Sequence, residues 1–155
     1  MTVSFTGHRI ADPAIRAALY DTIKRLAEDG ADTFCTGGAA GFDTIAAEEV
    51  LRLKNEYPHI KLQLVLPCSP KEQTRSFSRE MKEAYVKVMR GADSMECVSQ
   101  SYTKTCMKER NQRLIDLADV CVCWYDSVNR PYSGTGQTVR MAEKKGIRVI
   151  NLLSY

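Results

Sequence analysis

The 155-residue chain is 44% hydrophobic and 26% charged with a net charge of +3, ordinary values for one soluble domain over residues 1–155. Its length allows roughly 70% of the unfolded surface to be buried, and so small a net charge does not by itself argue for nucleic acid. No apolar run approaches the ~20 residues of a membrane span, and Met1–Phe5 lacks the basic-then-apolar order of a secretory leader, so a cytoplasmic protein with no membrane partner is expected.

In chain order, Thr2–Thr6 reads as a short strand ended by Gly7. Asp12 suits a helix N-cap and Pro13 a first turn. Ile15, Ala18, Leu19, Ile23, Leu26 and Ala27 then recur at helical spacing, and Gly30 closes the segment. Asp32–Thr36 is a second strand, Phe42–Lys54 a helix, and Lys61–Leu66 a third strand stopped by Pro67. The spacing predicts one long helix over Lys71–Arg90, with Met81, Ala84, Tyr85, Val88 and Met89 as its core stripe. Ser94–Val98 is a weak strand, Cys106–Ala118 a helix, Val120–Tyr125 a strand, Thr135–Lys145 a helix and Arg148–Leu153 a last strand. Strands alternating with helices imply right-handed crossovers and an α/β domain with a mainly parallel sheet. Ligands of such sheets bind beyond the carboxyl ends of the strands.

Six cysteines raise the question of metal or disulfides. Cys35, Cys121 and Cys123 lie in apolar strand-like runs, where cysteine acts as a small hydrophobe. Cys121 and Cys123 are two apart rather than Cys-x-x-Cys, and His8 and His59 are the two histidines. No metal site is expected, and buried reduced thiols are. Cys68 and Cys106 lie next to loops, and their surroundings stay open.

Two glycine-rich turns stand out. Thr36-Gly37-Gly38-Ala39-Ala40-Gly41-Phe42-Asp43 joins a strand to a helix, and Ser133-Gly134-Thr135-Gly136 opens the last helix. Each brings bare backbone N–H groups and a positive helix end to one point, which suits a phosphate. The first turn has neither the dinucleotide spacing nor the Gly-Lys-Ser/Thr ending of a P-loop. Asp43 either caps its helix or contacts a ribose hydroxyl. Gly7-His8-Arg9 sets a titratable ring and a fixed cation at the end of strand one. Arg110 and Asn111 carry groups suited to phosphate and to base edges.

Thr6-Gly7-His8-Arg9, Gly37-Gly38-Ala39-x-Gly41-Phe42-Asp43, Leu66-Pro67-Cys68, Glu109-Arg110-Asn111, Tyr125-Asp126 and Ser133-Gly134-Thr135-Gly136 occur in order over nearly the whole chain. Together they resemble the YpsA-like family of the SLOG superfamily, which also holds the Smf/DprA proteins and the LOG phosphoribohydrolases. The resemblance implies a Rossmann-like three-layer sandwich, a nucleotide-derived ligand, a site role for Gln73 and self-association into a homo-oligomer. LOG enzymes, which cleave the N-glycosidic bond of nucleoside monophosphates, pair an arginine before strand five with Pro-Gly-Gly-x-Gly-Thr-x-x-Glu after it. Met107-x-Glu109-Arg110 is similar to the first half, whereas Thr138 stands where that pattern has its glutamate. Threonine cannot supply the carboxylate that glycoside cleavage uses.

Three functions follow. The first is a nucleotide-binding or sensing domain, in which the amides of Gly37, Gly38, Ala39, Gly41, Gly134, Thr135 and Gly136 hold phosphate beside Arg9 and Arg110. Gln73, Asn111 and Asp126 then contact base or ribose. The second is an N-glycoside or nucleotide-phosphate hydrolase with Arg110, Asp43 or His8 as catalytic candidates. The third is single-stranded nucleic-acid binding through Tyr102, Trp124, Tyr125 and Tyr132. A cofactor other than the nucleotide-like ligand is not expected.

Overall fold

The computed structural model describes residues 1–153. Six strands, β1 (Thr2–Gly7), β2 (Thr33–Thr36), β3 (Lys61–Leu66), β4 (Ser94–Cys97), β5 (Val120–Trp124) and β6 (Arg148–Asn151), form one sheet of order β4-β3-β2-β1-β5-β6. Every pairing is parallel, with Val3 opposite Phe34 on one side and Val120 on the other. The helices are α1 (Arg16–Glu28), α2 (Phe42–Lys54), α3 (Pro70–Gln73), α4 (Arg79–Gly91), α5 (Cys106–Leu117) and α6 (Gly134–Lys145). α1, α2 and α4 pack side by side, as do α5 and α6. This is a Rossmann-like α/β sandwich.

Alternation along the strands sorts the two faces. Val3, Phe5, Phe34, Leu62, Leu64, Leu66, Val120 and Val122 bury large side chains against α1 and α2. Phe5 stacks on Phe34 at 6.1 Å and meets Phe42 edge-on at 6.4 Å. The other face is lined by small side chains. Cys121 and Cys123 pack against Ile115, Val139 and Ala142, and Cys35 packs against Leu114. Ser4 Oγ donates to the Leu114 carbonyl at 2.7 Å, so α5 lies close to β1. Burial holds the Cys35 and Cys121 thiols up at about 12, and Cys68 and Cys106 are buried as well. Cys97 is exposed, and all six cysteines are free thiols.

One expected element is corrected. The helix read over Lys71–Arg90 is two helices, α3 and α4, separated by Thr74–Ser78. Ser69 caps α3 by accepting from the Glu72 N–H at 3.4 Å, and Ser78 caps α4 by accepting from the Met81 N–H at 3.2 Å. Between them Phe77 turns back and packs edge-on against Tyr85, 5.9 Å away. Met81, expected in the core stripe, is 37% exposed because it lies in the first turn of the new helix; Tyr85 and Val88 are buried as expected. Asp12 does cap the chain's first turn, accepting from the Ala14 N–H at 3.0 Å, although Pro13–Ile15 is a 3₁₀ turn ahead of α1.

Candidate functional site

From β1 the chain moves one way through β2, β3 and β4, then returns to lay β5 on the other side of β1. The strand order therefore reverses between β1 and β5, where a parallel α/β sheet opens a crevice at its carboxyl edge. A cleft of about 230 Å³ lies there, walled by Thr6–Arg9, Ala39, Asp43, Arg110, Asn111, Arg130 and Ser133–Thr135.

The first glycine turn is closed from within. Asp43, fully buried on α2, accepts from the Ala39 N–H at 3.2 Å, and Thr44 Oγ1 donates to the Ala39 carbonyl at 3.0 Å. Burial pushes the Asp43 carboxyl above its ordinary pKa; the Arg110 guanidinium, the Ala39 and Gly37 backbone and Arg9 act against that rise. Arg110 reaches in from α5, itself 4% exposed. Its Nη1 donates to the Gly37 carbonyl and its Nε to Asn111 Oδ1 at 2.8 Å. Gln73 Nε2 donates to the same Gly37 carbonyl at 2.9 Å, and Gln73 Oε1 accepts from the Tyr85 hydroxyl at 2.8 Å. Tyr85, which holds that amide, is itself packed against Phe77 of the α3–α4 break. Gly38 and Gly41 take φ of +72° and +82° to complete the turn, Gly41 against the Arg9 backbone.

The second turn is open. Ser133 caps α6 by accepting from the Gly136 N–H at 3.1 Å. Gly134 is exposed, with no atom near the space a side chain there would enter. The loop before it is braced by Asp126, whose carboxylate accepts from the N–H groups of Val128 at 3.2 Å and Asn129 at 2.9 Å. Tyr125 Oη and Arg140 Nη1 both donate to the Pro131 carbonyl, at 2.8 and 2.9 Å. His8 is 5% exposed, and its Nε2 accepts from the Asp126 N–H at 2.9 Å, which leaves the ring proton on Nδ1. Burial and then Arg130 lower the His8 pKa against the pull of Asp126. The side chains of Arg9 and Arg130 make no hydrogen bond or ion pair among the described residues, and both face the cleft.

The family model of the YspA SLOG family (YpsA) matches residues 3–153. The chain belongs to the YspA SLOG family. A UPF0398 protein of Bacillus cereus (strain G9842) is 29% identical over 143 residues, covering 91% of this chain and 75% of the relative. A UPF0398 protein of Bacillus pumilus (strain SAFR-032) is 30% identical over 114 residues, covering 72% and 60%. DNA processing protein A from Helicobacter pylori, solved for its single-stranded DNA binding mode, superposes with a TM-score of 0.67 at 22% identity. That likeness is one of fold, over 96% of this chain and 63% of the other.

Within this SLOG fold, Gly7, His8, Arg9, Ala39, Asp43, Arg110, Asn111, Ser133, Gly134 and Thr135 all line the switch-point cleft. Gln73 lies on a neighbouring cleft, while Gly37, Gly38, Gly41, Asp126 and Gly136 shape the turns behind the wall. Thr138 is fully buried, and its hydroxyl donates to the Gly134 carbonyl at 2.9 Å instead of facing the cleft. Arg130 and Met107 are wall residues that sequence reasoning missed. For Arg130 the signal was present, as the one basic residue between strand five and Gly134. Trp124 and Tyr125 are half-buried, whereas Tyr102 and Tyr132 are exposed on the carboxyl edge. Among the described residues no cluster of His, Cys, Asp and Glu is arranged for a metal ion, and no helix is long and apolar enough to cross a membrane.

Proposed function

We propose that this SLOG domain binds the phosphate of a nucleotide or nucleotide derivative at the β1–β5 switch point, with α6 and not α2 as its anchor. The observation that carries this reading is the pairing of a helix start open at Gly134 with two guanidinium groups, Arg9 and Arg130, that have no ion-pair partner among the described residues. In the first turn Asp43 already engages the Ala39 N–H. The arrangement favours binding over N-glycoside cleavage. Asp43 is the carboxylate in the cleft wall, and it is engaged by Ala39 and set beside Arg110. An acid so held is poorly placed to activate water.

The test is a thermal-shift series with AMP, ADP and ADP-ribose on the wild type and Gly134→Glu. Gly134 has an ordinary φ and open space around it, so the variant folds and covers the helix start with a carboxylate. Ligand at ~100 times its dissociation constant stabilises by about 2.7 kcal/mol, a rise of roughly 5–11 °C for this size. The rise is expected in the wild type and lost in the variant; no rise with any nucleotide refutes the reading.

A second reading, single-stranded nucleic acid, is supported by Tyr102 and Tyr132, 63% and 91% exposed on the same edge as Arg9 and Arg130. The Helicobacter pylori neighbour's binding mode points the same way. Fluorescence anisotropy of a labelled deoxythymidine oligomer at low and high salt distinguishes it, since phosphate-driven binding weakens steeply with salt.

A further inference from the structure

The switch-point cleft does not end at Arg9. A second cleft of about 250 Å³ adjoins it along the carboxyl edges of β2 and β3, sharing Arg9, Ala39 and Met107 as a common wall. Small-molecule sites are typically ≈300–1,000 Å³. Each cleft alone falls short of that range, and only the two joined enter it.

The two halves differ in chemistry. The first carries Arg9, Arg130 and the α6 start, all suited to an anion. Beyond Arg9, the second adds one further charged side chain, the carboxylate of Glu72, which accepts from the Tyr102 N–H, lies 4.0 Å from Arg75 Nη2 and disfavours another phosphate. Its aromatic members are Phe77, fixed edge-on against Tyr85, and Tyr102. Tyr102 is 63% exposed, yet its position is held, because its backbone N–H donates to Glu72 Oε2. An exposed ring anchored by its own backbone beside an acid is a platform for a heterocycle. The clefts are also joined mechanically. Gln73 of the second and Arg110 of the first donate to one carbonyl, that of Gly37.

We infer that the site is bipartite, taking a ligand of two ring units joined through phosphate. One ring unit lies in the switch-point cleft, the linking phosphate beside Arg9, and the second ring on Tyr102 and Phe77. The inference rests on the phosphate-binding reading above and goes beyond it in assigning a second, stacking subsite. Both a pyrophosphate-linked ligand and a phosphodiester-linked one satisfy this chemistry.

The test is calorimetric titration of AMP, ADP-ribose and the dinucleotide pApA into the wild type, Tyr102→Ala and Arg130→Ala. In the wild type at least one two-ring probe binds roughly 5- to 100-fold tighter than AMP, the range that one stacked ring supplies. Tyr102→Ala removes that advantage, lowering affinity for the two-ring probe far more than for AMP, and Arg130→Ala weakens all three probes. Preference for ADP-ribose marks the pyrophosphate link and preference for pApA the phosphodiester, and either supports the bipartite site. If AMP binds as tightly as both two-ring probes, or if Tyr102→Ala keeps their advantage, the second subsite is overturned while phosphate binding stands. If no probe binds the wild type, both readings fall together.

Discussion

Replacing Arg110 with methionine separates a scaffold role from a ligand role, because the structure gives this arginine work to do without any ligand. Arg110→Met removes the donors to the Gly37 carbonyl and Asn111 Oδ1, and the positive charge that opposes the burial of Asp43. Gln73 still donates to Gly37, so the loss centres on the charged bond to Asn111 and on the positive charge beside buried Asp43, where Arg9 remains. Losing the charged donors to these buried acceptors costs about 1.5–3 kcal/mol, or roughly 3–12 °C in melting temperature for this size. The loss depends on pH with a definite sign. Asp43 has its pKa raised by burial, so ionising it costs stability as pH rises through the folded value; without Arg110 that rise is larger. The gap between variant and wild type is therefore widest at neutral pH and narrows as pH falls toward the ordinary aspartate value near 3.9. Urea denaturation followed by circular dichroism at pH 7 and pH 5 measures both effects. Asp43→Asn in the Arg110→Met background is expected to recover part of the loss, a coupling a double-mutant cycle reads directly. A loss below about 1 kcal/mol with no pH dependence refutes the reasoning and removes Arg110 from the scaffold of the first turn.

Three further outcomes are expected. Lys145 Nζ donates to the carbonyls of Ile115, Asp116 and Ala118, each at 2.9 Å, capping the end of α5 from the end of α6; Lys145→Met is expected to lower the urea midpoint by the equivalent of about 1–2 kcal/mol, and an unchanged midpoint counts against the cap. Gly41→Ala forces a side chain into φ of +82° against the Arg9 backbone and is expected to destabilise by more than about 1 kcal/mol, read as a fall in melting temperature. Burial and Arg130 hold His8 below its ordinary value of 6.5. Its contribution to stability is thus complete above that value and is lost as pH falls through the folded one. An NMR titration of the imidazole should show the low pKa, and His8→Gln should flatten the fall in stability between pH 7 and pH 5.

The strands and most helices were legible because their apolar residues keep period: Val3 and Phe5, Leu62, Leu64 and Leu66, and Val120 and Val122 alternate into one face. Phe42–Lys54 matches the helix read from sequence residue for residue. The α3–α4 break was hidden because Lys71–Arg90 contains neither glycine nor an internal proline, and the period of Tyr85, Val88 and Met89 extends smoothly backward from α4. Its signal was two serines, Ser69 and Ser78, each a side-chain cap that periodicity outweighs. The site loops were legible because glycines end the strands that enter them. The partners of those loops were not, since Arg110 meets Gly37 across 73 residues and Gln73 meets it across 36. Such contacts are settled by the packing of α5 and α3 over the sheet, which no local pattern encodes.

The two glycine turns also show why a shared local motif does not fix a shared role. Both start a helix, and both offer amides to an anion. In the first, the side chain four residues after Ala39 is an aspartate, which folds back onto the Ala39 N–H and supplies the negative charge from within the chain. Arg110 then balances that charge, so the turn is internally complete and its glycines serve conformation. In the second, the side chain four residues after Gly134 is Thr138, which donates to the Gly134 carbonyl and brings no charge. Ser133 caps the helix with a neutral hydroxyl, and the side chains of Arg9 and Arg130 make no ion pair among the described residues. Threonine at position 138 thus brings no charge to the second turn, whose helix start is capped by the Ser133 hydroxyl alone.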